Sequence, residues 1–198
     1  MGRVSREQAE RNRERVLETA CRLFRKHGVE GVSIGDIMTE AGLTAGAFYK
    51  QFASKEALID EASRFAFTQS SESWERINQR YEEDAVQGFQ ALMRRYFKHR
   101  PQTQSCPILA FSSLASSLPA DAQTTAIYSE GVERLFEQFR SVAVQACAEQ
   151  SEEQIMLLFA AMLGTGMISR AVGDTAFTQG MQAAVLAALP GSESDQHD

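Results

Sequence analysis

Apolar residues recur at three- and four-residue intervals along almost the whole chain, and no stretch alternates with the two-residue period of a half-buried strand. That spacing dictates an all-α chain. Glycines, prolines and capping residues divide it into about nine helices. Over Glu7–His27 the apolar residues Val16, Ala20, Leu23 and Phe24 fall on one face, and Gly28 is placed to end the helix. Ser33 with Asp36 three residues on opens a second, short helix. Gly42 interrupts that pattern, and Thr44 is placed to cap a third helix over Ala45–Phe52 through its hydroxyl. Ser54 caps a long fourth helix reaching Tyr81.

The rest continues in the same style. A helix over Asp84–His99 presents Phe89, Met93, Tyr96 and Phe97. Pro107 suits a first helical position, which puts Cys106 at the N-cap of a helix ending near Ser117. Asp121–Ala148 is long and amphipathic. Ser151-Glu152-Glu153-Gln154 is a capping box opening a helix to Val172, and a last helix covers Thr175–Leu189. The tail 190–198 is polar and expected to be disordered.

Charge separates the two ends. Residues 1–55 carry ten Lys/Arg against seven Asp/Glu, net +3, and the remainder carries ten against nineteen, net −9. A basic end on an acidic body suits a nucleic-acid-binding module joined to a half with another task. Three widely spaced cysteines, Cys21, Cys106 and Cys147, do not form a disulfide framework, and the histidines and cysteines lack metal-ligand spacing. No metal and no cofactor is expected. The start, Met-Gly-Arg-Val-Ser-Arg-Glu-Gln, has no apolar stretch, and no run of about eighteen apolar residues is evident. The expected place is the cytoplasm, with no membrane contact.

Residues 30–56 carry the functional signal. Two short helices joined by a tight glycine turn, with a long helix before them, make a helix-turn-helix. A helix that enters the major groove needs small residues where its backbone comes closest, and Ala45, Gly46 and Ala47 supply them. Tyr49 and Lys50 then lie on the accessible face, while Phe48 and Phe52 point into the core. Ser33 and Thr44 offer hydroxyls at helix N-termini, and Lys55 stands beside a third, where phosphates are favoured.

Residues 13–58, including Ala-Gly-Leu-Thr-Ala-Gly-Ala-Phe-Tyr-Lys-Gln-Phe-Ala-Ser-Lys-Glu-Ala-Leu, resemble the DNA-binding module of the TetR family of bacterial transcriptional regulators. The resemblance implies a homodimer, double-stranded DNA with a palindromic operator as partner, and repression relieved by a small-molecule effector. It implies phosphate contacts for Thr44, Tyr49 and Lys55, and base-facing positions for Ala45, Gly46 and Lys50. Where the family usually has a histidine after the tyrosine, this chain has Lys50. The implied organisation is a DNA-binding domain at 9–56 and a ligand-binding and dimerisation domain at 57–189. The last two helices would form the dimer bundle, with Gly164, Gly166, Ala184 and Ala188 allowing close approach.

Candidate lining residues of an effector pocket are Phe65, Trp74, Phe89, Tyr96, Phe97, Cys106, Phe111, Tyr128 and Phe159, which favour an apolar or aromatic ligand. Cys106 at a helix N-terminus allows an alternative, a thiol that senses oxidants or electrophiles. A DNA-binding protein without a small effector is a third reading. An enzyme is not expected: no nucleophile–base set, phosphate loop or metal cluster is present.

Overall fold

The computed structural model describes residues 6–98, 104–119, 121–147 and 149–191. These form eight α-helices and one 3-10 helix, with no strand among the described residues. In order they are α1 (Arg6–His27), α2 (Ile34–Glu40), the 3-10 helix (Ala45–Lys50), α3 (Lys55–Arg80), α4 (Ala85–Phe97), α5 (Pro107–Ser117), α6 (Gln123–Ala146), α7 (Glu152–Val172) and α8 (Ala176–Ala187). The expected helix ends at His99 and Ala148, and positions 192–198 of the expected tail, lie outside the described residues. Pro190 and Gly191 form a turn, where the Pro190 carbonyl accepts a bond from Gln90 Nε2 at 2.9 Å.

By packing, the described chain divides into two compact units, 6–70 with 104–132 and 71–98 with 133–191. Helices α3 and α6 each contribute residues to both.

The first unit is built on one apolar cluster. Val16, Ala20 and Phe24 of α1 meet Ile37 and Met38 of α2, Phe48 and Phe52, and Leu58, Ala62 and Ala66 of α3. Phe24 and Phe48 are fully buried, each contributing about 2–3 kcal/mol. Helix α5 packs on α1 and closes the cluster with Ala110 and Phe111. Buried Arg25 fastens α1 to α3, its Nη2 donating to the Ala66 carbonyl at 2.9 Å.

The second unit centres on aromatic packing. Phe139 meets Phe89 and Phe159 edge-on or tilted, each at 5.1 Å, and Phe136 meets Phe159 at 5.2 Å. Arg140 of α6 donates to Glu152 of α7 at 2.6 Å. Capping boxes at Ser151/Gln154 and Thr175/Thr178 start α7 and α8. Gly166 of α7 lies against Tyr96 of α4, where a Cβ would stand 2.8 Å from the phenol oxygen. That glycine therefore serves packing within the chain, not the approach of a second copy.

Helix α7 is long and apolar enough, by length and composition, to cross a membrane. Its glycine, threonine and serine residues are only weakly polar, and Arg170 is the sole charge between Ile155 and Val172, so its apolar character exceeds what its longest unbroken apolar run suggests. Together α7 and α8, which pack on each other, leave large apolar side chains exposed: Leu157 (70%), Met167 (63%) and Phe177 (65%).

Candidate nucleic-acid interface

The interface is set by how α2 ends. The Gly42 N–H donates to the Thr39 carbonyl at 3.0 Å and the Leu43 N–H to the Met38 carbonyl at 2.8 Å, with Gly42 at φ +66°. This pairing of the last turn requires a left-handed residue, which glycine adopts without strain. The chain reverses there and enters the 3-10 helix directly.

That helix differs from expectation in kind and in its cap. It is a 3-10 helix of six residues, and the Thr44 side chain makes no capping bond. The reason lies in the tighter winding: the Ala47 N–H, which an N-cap hydroxyl would take, already donates to the Thr44 carbonyl at 2.9 Å. The Thr44 hydroxyl is left on an exposed residue.

One side of the 3-10 helix is anchored. Phe48 and Phe52 are buried and stack at 5.7 Å. The opposite side is open: Thr44, Ala45, Gly46, Tyr49 and Lys50 are all exposed, Tyr49 at 70%. The Tyr49 ring stands edge-on to Phe48 at 5.1 Å, so the exposed phenol rests on the buried core. A Cβ at Gly46 would meet nothing within 4 Å, and no positive φ demands glycine there. The fold itself gives no reason for a residue without a side chain at this position.

The other expected phosphate-contacting residues are more engaged. Ser33 caps α2, and its hydroxyl donates to Asp36 Oδ2 at 2.6 Å while its N–H donates to the same oxygen at 2.8 Å. These bonds, the side-chain one foremost, hold the Asp36 carboxyl below the usual carboxylate range. Lys55, half-buried, donates to the Val29 carbonyl at 3.1 Å. Ser54 caps α3 through the Ala57 N–H at 3.1 Å. Several module cations are paired, as in Arg22–Glu40 at 2.7 Å and Arg11–Glu7 at 3.1 Å. Lys50 makes no ion pair or hydrogen bond among the described residues.

Phe65, Cys106, Phe111 and Tyr128 belong to the first unit, and Trp74, Phe89, Tyr96, Phe97 and Phe159 to the second. Phe111 is a core residue of the module, with Phe65 and Tyr128 packed beside it. Tyr128 donates to the Ile108 carbonyl at 2.9 Å, and burial, with a smaller effect of Cys106, pushes its phenol up. Cys106 is the N-cap of α5, as expected, and is half-buried without a side-chain capping bond. Sequence reasoning missed Arg13, whose contacts with Glu61 and Phe52 span 48 and 39 residues of chain.

The family model of bacterial regulatory proteins, tetR family, matches residues 16–62. The chain carries a tetR-family module.

All seven residues expected to meet DNA lie inside the tetR-family match. Over 61 residues the chain is 39% identical to the HTH-type transcriptional regulator AcrR of Shigella flexneri, a match covering 31% of this chain and 28% of that protein. The chain thus spans little more than a quarter of that relative's length. The fold likeness extends further. A TetR-family transcriptional regulator from Agrobacterium tumefaciens shares it with a TM-score of 0.80 at 15% identity, covering 92% of this chain and 99% of that one. The reduced form of NemR from E. coli gives 0.74 at 18% identity, covering 88% and 95%.

Proposed function

We propose that this chain is a dimeric, cytoplasmic DNA-binding transcriptional regulator, a repressor released from a palindromic operator by a small apolar or aromatic effector. The observation that carries the reading is the open side of the 3-10 helix. It pairs small residues, Ala45 and Gly46, with exposed donors, Thr44, Tyr49 and Lys50, on a helix fixed from behind by Phe48 and Phe52. In this reading residues 9–56 read DNA. Ala45, Gly46 and Lys50 face base edges, and Thr44, Tyr49, Lys55 and Ser33 meet phosphates. No catalysis is assigned.

Residues 57–189 carry dimerisation and effector binding. The exposed Leu157, Met167 and Phe177 support a second copy packed on α7 and α8, with Gly164, Ala184 and Ala188 at the closest approach. Two recognition helices would then enter successive major grooves, about 34–36 Å apart. An effector bound more tightly by one dimer state would shift the population away from that spacing. Helix α3, which has residues in both units, is one covalent link between them.

Selection from random duplexes tests this. Enrichment of a palindrome supports the reading, and failure to enrich any sequence at moderate salt overturns it. A second reading, a thiol sensor, rests on Cys106 being the half-buried cysteine where Cys21 and Cys147 are buried. Oxidant-driven release from the operator that is abolished by Cys106→Ser supports it.

A further inference from the structure

Arg13 lies on α1, outside the helix-turn-helix pair, and makes two contacts, one with α3 and one with Phe52 just beyond the 3-10 helix. Its Nη2 donates to both carboxylate oxygens of Glu61 on α3, at 2.7 and 2.6 Å. Its guanidinium also lies over the Phe52 ring, 4.7 Å from the centroid. Phe52 in turn stacks on Phe48 of the 3-10 helix, and Phe48 carries Tyr49 on its edge. The guanidinium is planar and positively charged, so it suits both a carboxylate and an aromatic face. A lysine provides the charge without the plane.

We infer that Arg13 is a positioning residue for DNA reading: closed on Glu61 and lying over Phe52, it fixes where the recognition helix stands on the module. The inference rests on the DNA-binding reading above. Arg13 itself does not touch DNA in this account, because its Nη2 is held by Glu61 and its guanidinium lies over Phe52. Losing it lets the 3-10 helix shift against α3 while removing none of the phosphate-contacting side chains. Specific binding, which depends on register with base edges, then suffers. Non-specific binding, which depends on charge near phosphates, does not.

The test measures binding of the wild-type full-length protein, Arg13→Met and Arg13→Lys to the selected duplex and to a scrambled one, over a range of salt. Arg13→Met is expected to lose roughly fivefold in affinity for the selected duplex, to bind the scrambled duplex as before, and to keep the wild-type salt slope. Arg13→Lys is expected to fall between. Helicity and melting without DNA confirm that the variants are folded. A salt slope reduced by about one would make Arg13 a phosphate contact, and an equal loss on both duplexes would make it a stability residue; either overturns the inference. So does unchanged specific binding by Arg13→Met. A wild type that enriches no duplex overturns the DNA-binding reading itself, and this inference with it.

Discussion

Gly131 on α6 stands so close to Phe67 on α3 that a Cβ at position 131 would overlap Cγ of the ring. Phe67 is buried and meets Tyr128 edge-on at 5.9 Å, so its ring is packed where it stands. The two helices meet closely in the first unit because one of them lacks a side chain.

Gly131→Ala is therefore expected to destabilise. Overpacking costs about 1–3 kcal/mol, partly offset by alanine's helix propensity, worth up to about 1 kcal/mol. Gly180 of α8 is the control: an added Cβ there meets nothing within 4 Å, so Gly180→Ala should raise the melting temperature slightly. Thermal unfolding followed by circular dichroism reads both. Equal stability of Gly131→Ala and wild type would contradict the close contact.

The apolar face of α7 and α8 predicts an assembly. Leu157 and Met167 are exposed on one chain, and burying a side chain of that size is worth about 1.5–3 kcal/mol. Leu157→Glu with Met167→Glu should convert a dimer into a folded monomer, seen by sedimentation equilibrium. A dimer that survives both charges would place the interface elsewhere.

The cysteines should differ in reactivity. Burial pushes the Cys21 and Cys147 thiols up, whereas Cys106 is half-buried. Alkylation of the native protein should therefore modify Cys106 first. The raised thiols also bear on stability. Below the ordinary thiol value of 9.0 both folded and unfolded thiols keep their protons, and the contribution is fully present. As pH rises past it, the unfolded chain loses protons that the folded chain holds, and stability falls. Cys21→Ala should lose less stability than wild type between neutral pH and pH about 10. Equal losses, measured by urea unfolding, would contradict it.

Much of the fold was legible because helices are written locally. Ser33 with Asp36, Gly42, Ser54, Pro107, Ser151 with Gln154 and Thr175 each mark a helix end, and the structure has ends at each. The open face of the 3-10 helix was legible too, since Phe48 and Phe52 are four apart and Tyr49 and Lys50 fall opposite. What was not legible depends on distant residues. Nothing around Phe111 says that α5 completes the core of the N-terminal module, and nothing around Gly166 says that Tyr96 comes to rest on it. Nothing in the residues of the third helix, expected over Ala45–Phe52, distinguishes a three-residue repeat from a 3.6-residue one; the Ala47–Thr44 bond shows the tighter winding.

The account stands most directly on Tyr49. Its ring is exposed and its removal leaves Phe48 and Phe52 in place, so Tyr49→Ala separates binding from folding. Affinity for the selected duplex, measured by fluorescence anisotropy beside a melting curve, should fall about tenfold or more, equivalent to about 1.4 kcal/mol, with the chain still folded and its melting temperature lowered only by the lost Phe48 edge contact. Wild-type affinity in a folded Tyr49→Ala variant would show that this face of the helix does not meet DNA.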